Sequence, residues 1–105
     1  MSKEIGPGLL VVHGDCTYIN AKKIGKDCYI NQSVTIGVVG PNAPVIGNNV
    51  RVATGAIVLG NIVIGDNVQI GAGAVVVKSV PDNCTVVGNP ARIVKKNGQK
   101  VDIKL

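Results

Sequence analysis

A hydrophobic period of six residues runs along most of this chain. Every residue that carries the period is aliphatic and β-branched, and glycine often follows it directly. The residues in question are Ile24, Ile30 and Ile36 and, after one interruption, Ile46, Val52, Val58, Ile64, Ile70 and Val76. Because a fixed short period is typical of parallel β-helices, it constrains the fold more than any other feature of the sequence.

Each six-residue unit predicts one short strand followed by one turn. β-Branched side chains favour extended backbone, and a glycine such as Gly47 or Gly65 accepts the backbone angles of a tight turn. If three units close one coil, the stacked pairs are Ile46 with Ile64, Val52 with Ile70, and Val58 with Val76. We therefore predict an all-β fold, a single-stranded parallel β-helix of about four triangular coils around an aliphatic column.

Two interruptions of the period predict loops. Counting backward, Ile5 and Val11 carry the period, and a slip of one residue within 13–17 precedes Tyr18, which resumes the step into Ile24. A larger break places four additional residues at 38–44. Loops on a rigid scaffold often carry function, so both segments are candidate site elements.

The composition fits one domain of this kind. The chain has 105 residues, 46% hydrophobic content and 14 glycines, with two tyrosines and no phenylalanine or tryptophan. Flat prism faces rich in valine and isoleucine leave apolar area exposed, so we expect a homotrimer about a threefold axis. No apolar stretch approaches the roughly 20 residues that span a bilayer, and no secretory segment opens the chain. We therefore expect a cytoplasmic protein without a membrane partner.

The net charge of +5 has two interpretations. Four lysines cluster towards the C-terminus, at Lys95, Lys96, Lys100 and Lys104, and they form either a solvated surface or a region that attracts an anion. Nucleic acid is not expected, because the chain lacks a known binding motif and nearly lacks aromatic platforms for bases. A phosphorylated small molecule is the favoured anion.

The single histidine, His13, is the main candidate for chemistry. It follows the period residue Val11 by two positions, at a predicted corner where side chains point out of the prism. The equivalent positions in later coils are Gln32, Thr54 and Ala72, and glycine follows the last two as Gly55 and Gly73. With coils about 4.8 Å apart, this edge forms a groove of roughly 15 Å, long enough for a pantetheine arm. Small corner residues could equally serve only tight turns or subunit packing.

Four segments carry a pattern beyond the period: IGPGLLVVHG at 5–14, INQSVTIG at 30–37, GAIVLGNIVIGDNVQIGAGAVVVKSVPDN at 55–83, and VGNPARIV at 87–94. Together they resemble the left-handed β-helix acyltransferases, and most closely the catalytic domain of serine acetyltransferases. The resemblance implies a left-handed coil and trimers that bind acetyl-CoA between adjacent prisms. It implies that His13 is the general base, that Thr54, Gly55, Ala72 and Gly73 line the coenzyme groove, and that Lys78 and Arg92 contact phosphates or a loop.

The reaction that the resemblance implies is direct acetyl transfer. An unperturbed imidazole has a pKa of about 6.5, so a neutral His13 would take the proton of an acceptor hydroxyl as that oxygen attacks the thioester carbon. No covalent enzyme intermediate is needed. Backbone amides or loop donors would stabilise the oxyanion.

Two segments depart from the pattern of serine acetyltransferases. Val12 stands where that family has an aspartate, and residues 38–44 lack the arginine and histidine of the corresponding loop. Glu4 or Asp15 would replace the acid that orients the histidine. The acceptor therefore stays open between a small hydroxyl compound such as serine and a sugar or polysaccharide hydroxyl. A catalytically silent trimerisation module is the alternative class.

The three cysteines favour a reducing compartment, because an odd number argues against a disulfide framework. Cys28 falls four residues after Ile24 and is predicted to be a small core residue, and Cys84 is expected to fill space. Cys16 with His13 could form a nucleophile or a zinc site. A nucleophile needs a third orienting group and zinc needs about four ligands, so we expect a turn residue and no metal.

The C-terminal segment carries a hairpin signal. Asn97-Gly98 between two β-prone runs predicts a type I′ turn and two antiparallel strands that brace the last coil. We therefore divide the chain into a β-helix of residues 1–92 and a capping hairpin of residues 93–105.

Overall fold

The computed structural model describes residues 4–11 and 16–105. These two ranges contain fourteen β-strands and no helix, so no helix in them could cross a membrane. The strands are β1 Leu10–Val11, β2 Tyr18–Ile19, β3 Lys23–Ile24, β4 Tyr29–Ile30, β5 Thr35–Gly37, β6 Val45–Ile46, β7 Arg51–Val52, β8 Ile57–Leu59, β9 Val63–Ile64, β10 Gln69–Ile70, β11 Val75–Val76, β12 Cys84–Val87, β13 Arg92–Lys96 and β14 Gln99–Lys104.

The strands form the three faces of a prism. The first face has the order β1-β4-β7-β10-β12-β13-β14, the second β11-β8-β5-β2, and the third β3-β6-β9. All pairs up to β12 are parallel, and each joins a strand to the equivalent strand of the next coil. Consecutive strands therefore lie on different faces, which confirms a β-solenoid of about four turns.

The core is the predicted aliphatic column. The stacked pairs Ile46–Ile64, Val52–Ile70 and Val58–Val76 all occur, and each of these residues is at most 1% exposed. Cys28 is buried as predicted, and so is Cys84. Burial raises the pKa of both thiols, because desolvation disfavours the thiolate.

The prediction that Tyr18 carries the period is wrong. Tyr18 lies opposite Thr35 and is 55% exposed, whereas Ile19 lies opposite Ile36 and packs against the core. From Val11 to Ile19 the chain takes two residues more than the six-residue step, and from Ile19 to Ile24 it takes one residue fewer. The aliphatic side chain takes the buried position, while the Tyr18 hydroxyl stays outside and accepts a hydrogen bond from Asn20 Nδ2 at 3.4 Å.

The glycines after the period residues serve close packing rather than unusual backbone angles. Gly25, Gly47 and Gly65 do not have positive φ, but a Cβ at Gly47 would lie 2.7 Å from the Gly65 carbonyl oxygen of the next coil. Positive φ instead occurs two residues after these glycines, at Asp27, Asn49 and Asn67, and at the equivalent Asn83, which follows Pro81 by two. We call this edge, between the third and first faces, the asparagine corner.

Side chains at the asparagine corner bond from coil to coil. Asn49 Nδ2 donates to Asn67 Oδ1 at 2.8 Å, and Asn67 Nδ2 donates to Asn83 Oδ1 at 3.0 Å. Beside them, Asp66 Oδ1 accepts from the Asn48 amide at 2.7 Å, and Asp82 Oδ1 accepts from the Asp66 amide at 2.7 Å. These bonds fix the spacing of adjacent coils at a corner where the sequence analysis expected only turns.

The second interruption leaves the coil as a tight loop between the second and third faces. Within residues 38–44, the Val39 and Asn42 amides donate to each other's carbonyl oxygens, at 2.9 and 3.1 Å. We call this edge the loop corner.

The predicted C-terminal hairpin is present. Asn97 and Gly98 both have positive φ, 51° and 79°, as a type I′ turn requires. β13 pairs antiparallel with β12 on one side and with β14 on the other, so the hairpin extends the first face beyond the last coil. The division at residues 92 and 93 stays a prediction.

Candidate functional site

His13, the predicted base, lies outside the described residues, and so does Asp15. Strand β1 leads towards this segment and ends at Val11, opposite Ile30. Glu4, the other candidate orienting acid, lies on the third face with its Oε2 atom 3.8 Å from Lys23 Nζ. The roles of all three residues stay predictions.

Four of the predicted coenzyme contacts lie together on one edge. The Gly55 amide donates to the Gln32 carbonyl at 3.2 Å, and the Gly73 amide donates to the Thr54 carbonyl at 3.0 Å. These bonds stack Thr54-Gly55 and Ala72-Gly73 in successive coils between the first and second faces. We call this edge, which includes Gln32, the glycine corner.

The glycine corner presents its backbone to the outside. Gly55 and Gly73 have positive φ, 75° and 69°, a conformation that glycine adopts without strain. A Cβ at Gly73 would meet no atom within 4 Å, and one at Gly55 would come no closer than 3.9 Å to the Gly73 nitrogen. Open space therefore lies beside an exposed strip of backbone, which is what the predicted groove requires.

The other two predicted contacts, Lys78 and Arg92, lie in a separate pocket of about 460 Å³. Its lining includes Val75 and Val77 from the second face, the segment 88–91, and Lys104 and Leu105 from the hairpin end. Lys78 Nζ donates to the main-chain oxygen of Leu105 at 3.3 Å, and Arg92 Nε donates to Asp102 Oδ1 at 2.7 Å. Both cations are thus already held by the hairpin, and the pocket does not include the glycine-corner residues.

The sequence did not indicate that Asp102 pairs with Arg92 or that Lys104 lies in the pocket that Lys78 and Arg92 line. The alternation of apolar Val101, Ile103 and Leu105 with charged neighbours was visible in the sequence. It indicates a strand with one charged side, but it does not say that this side reaches Lys78 and Arg92.

A further pocket of about 480 Å³ lies at the loop corner, where Pro41 and Asn42 face Asn20, Lys22 and Asn61. The sequence predicted the loop but none of the partners from neighbouring coils.

Within the described parts of the chain, no three His, Cys, Asp or Glu side chains come together as a metal site. Cys16 is exposed and Cys28 and Cys84 are buried, so their environments differ sharply.

This architecture is similar to that of known proteins. Residues 43–78 match the family described as bacterial transferase hexapeptide (six repeats). The structure is similar to that of the soybean serine acetyltransferase apoenzyme, with a TM-score of 0.81 and 41% identity over 87% of this chain and 40% of the soybean chain. Residues 43–78 are therefore similar to that family's hexapeptide repeats, and the chain has the left-handed β-helix fold of the serine acetyltransferase neighbours.

The particular resemblance predicted from the sequence is also confirmed, because the similar proteins are serine acetyltransferases. The protein of that name from Synechococcus elongatus is 47% identical over 104 residues, which cover 94% of this chain and 43% of that protein. A serine acetyltransferase structure in complex with CoA has a TM-score of 0.75 at 36% identity, covering 87% of this chain and 38% of the other. The chain thus spans under half the length of these relatives.

Proposed function

We propose that this chain forms the acetyl-transfer part of an acetyl-CoA-dependent O-acetyltransferase. The observation that carries the proposal is the 47% identity to a serine acetyltransferase across 94% of the chain. The open backbone strip of the glycine corner supports it, because an extended coenzyme arm needs such a strip.

In the proposed reaction His13 acts as the general base. Its neutral imidazole takes the proton of the acceptor hydroxyl while the oxygen attacks the thioester carbonyl carbon. The tetrahedral intermediate then collapses, the carbon–sulfur bond breaks, and the CoA sulfur leaves with the proton that His13 returns. Holding the thioester and the hydroxyl in one cleft replaces a collision in solution with an intramolecular step.

The proposed coenzyme path follows the glycine corner. The pantetheine arm would contact Thr54, Gly55, Ala72 and Gly73. The similarity to a serine acetyltransferase solved in complex with CoA supports a coenzyme site on this fold. Lys78 and Arg92 would attract the phosphates, since their pocket begins at Val75, two residues after Gly73.

The proposed acceptor carries a hydroxyl group, and two classes compete. The names of the relatives support L-serine. The departures at Val12 and within residues 38–44 support a sugar or polysaccharide hydroxyl instead.

Thiol release tests the activity and separates these classes. The protein is incubated with acetyl-CoA and, separately, with L-serine, a set of sugars and a set of amines, while the free CoA thiol is followed. Release with serine or with sugars supports O-acetyl transfer and identifies the acceptor class. Release only with amines, or none with any pool, contradicts the proposal, and the second result leaves the silent trimerisation module.

Substituting Ala72 tests the coenzyme path. We expect Ala72→Glu to raise KM for acetyl-CoA by about tenfold or more, because a carboxylate at the open glycine corner occupies the arm's position and repels the phosphates. Asn61→Glu introduces the same charge at the loop corner and should leave this KM unchanged. Equal KM values for the two variants would remove the glycine corner from the coenzyme path.

We also propose a homotrimer that assembles through the second face. The outward residues of its strands carry no charge: Tyr18, Thr35, Gly37, Ile57, Leu59 and Val75. Val77, directly after β11, is 51% exposed. An uncharged, largely apolar sheet face of this kind favours burial against another copy.

Matched charge substitutions test this interface. Val77→Asp is expected to convert the trimer to monomer, because it places an unpaired carboxylate in an apolar contact. Val63→Asp on the third face is the control, since Val63 is 53% exposed and should tolerate the charge. Light scattering after size-exclusion chromatography gives the mass of each variant, and a trimeric Val77→Asp protein would exclude this face as the interface.

A further inference from the structure

A row of polar and basic side chains crosses the outer side of the first face. The register places one residue of each strand opposite the next, in the order Tyr29, Arg51, Gln69, Thr85, Lys95 and Lys100. All six are exposed or half-buried. With strands about 4.8 Å apart, the row is about 24 Å long. We call it the basic row.

The charge of the basic row is not balanced. Arg51, Lys95 and Lys100 are its three charged members, and all are cations. Lys95 lies directly opposite Lys100, and in the part of the chain that the structure describes neither forms a salt bridge. By contrast, the neighbouring cation pair on the same two strands, Arg92 opposite Lys104, has the Asp102 carboxylate beside it.

Like charges directly opposite each other on adjacent strands destabilise a sheet. A sequence that keeps such a conflict departs from local consistency, and departures of this kind concentrate at functional positions. The Lys95–Lys100 pair therefore indicates an anion that is bound from outside the chain.

The uncharged part of the row offers hydrogen-bonding groups. A shallow pocket of about 250 Å³ is lined by Tyr29, Asn31, Arg51, Gln69 and Thr85, among others. Asn31 Nδ2 donates to the Val52 carbonyl at 3.3 Å, which holds this side chain at the sheet. The Arg51 guanidinium carbon lies 5.5 Å from the centre of the Tyr29 ring, and this contact positions its charge over the sheet.

We infer that the basic row binds an acidic glycan chain, whose carboxylates pair with Arg51, Lys95 and Lys100. The glycan hydroxyls would bond to the amide and hydroxyl groups of Asn31, Gln69 and Thr85. Cations separated by neutral donors and acceptors match a ligand in which charged groups alternate with many hydroxyls.

Two other polyanions fit the row less well. A nucleic acid needs aromatic surfaces for its bases, and the one ring on the row, Tyr29, is covered by Arg51. An acidic peptide gains its affinity for a sheet from backbone bonds at a free edge. Five of the six row residues, from Tyr29 to Lys95, instead lie on strands that are paired on both sides, and only Lys100 lies on the free edge strand β14.

The row lies close to the proposed acetyl-transfer corner. Thr54 and Ala72 follow Arg51 and Gln69 by three residues on the same coils, a distance of about 10 Å along a strand. A glycan on the row would thus present hydroxyls beside the coenzyme path. As an acceptor site the row rests on the proposed function, whereas as a binding surface it does not.

Calorimetric titration with a defined carboxylated glycan, a galacturonic acid oligomer, tests the binding surface without acetyl-CoA. We expect binding that weakens with salt, and about tenfold or greater loss of affinity in the double variant Lys95→Gln/Lys100→Gln. The control Lys22→Gln/Lys26→Gln removes two charges elsewhere and should keep its affinity within about twofold. Lys100→Gln alone should raise the melting temperature by about 1–4 °C, because it removes the like-charge pair.

Several outcomes would overturn the inference. They are no binding of the galacturonic acid oligomer, equal affinity in the Lys95→Gln/Lys100→Gln variant, an equal loss in the control, and tighter binding of a neutral dextran, of polyglutamate or of a thymidine oligonucleotide. Glycan binding without thiol release in any pool would refute the proposed acetyl transfer but keep the row as a binding surface. Serine acetylation without glycan binding would support the proposed acetyl transfer but refute the basic row as a glycan-binding surface.

Discussion

Replacing His13 with alanine is expected to lower kcat for acetyl transfer about 1,000-fold, within the range that a general base contributes. The acceptor hydroxyl is a weak nucleophile until its proton is removed, and His13 is the only histidine in the sequence. KM for acetyl-CoA should change little, because the proposed coenzyme contacts lie at other residues. Thiol release at saturating acetyl-CoA and saturating acceptor measures kcat.

The control for this variant is Gln99→Ala on the hairpin, an exposed residue that should leave the activity unchanged. Both variants should keep the mass of the unsubstituted protein in light scattering, so that a loss of activity reports on chemistry rather than assembly. A His13→Ala protein with unchanged kcat would remove His13 from the mechanism.

Replacing Gly47 with alanine is expected to lower the free energy of unfolding by about 3 kcal/mol, the upper end of what overpacking costs. The added Cβ would lie 2.7 Å from the Gly65 oxygen and 2.5 Å from Asp66 Oδ1. The first contact is with backbone of the next coil, which can move only if the stacked strands separate. Denaturant unfolding monitored by circular dichroism measures the change.

Gly40→Ala is the matched control for this substitution. Gly40 has a φ of 60°, and a Cβ there would meet no atom within 4 Å. The control should therefore lose only about 1 kcal/mol, the cost of a left-handed conformation for alanine. Equal losses in the two variants would show that coil contact at Gly47 does not limit stability.

The six-residue period was sufficient to predict the prism, because an aliphatic, β-branched residue occupies the same buried position in each strand. Ile46, Val52 and Val58 stack on the residues that counting predicted. Counting failed at Tyr18. Two residues are added to the period before Ile19 and one is missing after it, so the two irregularities nearly cancel. Only the strand register shows that Ile19 faces the core instead.

The reason for the recurring glycines could not be read from spacing. Spacing indicates where small residues recur, but not whether backbone angle or close approach requires them. The bonded asparagines had left a visible signal, since Asn49, Asn67 and Asn83 each follow a period or core residue by three. Their mutual bonds depend on left-handed backbone at each position, which a one-dimensional pattern does not specify.

The candidate site was predictable only where it follows the period. Thr54 and Ala72 stack because both occupy the second position after a period residue. Lys78 and Arg92 meet across a pocket because the chain leaves the period after Val76 and returns as a hairpin. The partner of Arg92, Asp102, and the opposition of Lys95 and Lys100 depend on the hairpin register, which shifts within β13.

The reversal of chain direction at β13 also limits how copies of this protein can assemble. A prism that ended at β12 would offer a bare parallel edge, on which the opening coil of another molecule could continue the spiral into a fibre. β13 covers that edge with an antiparallel strand, and β14 places Lys100 and Lys104 on the new rim. On the first face, this antiparallel cover opposes the parallel pairing by which one molecule could continue the coil of another.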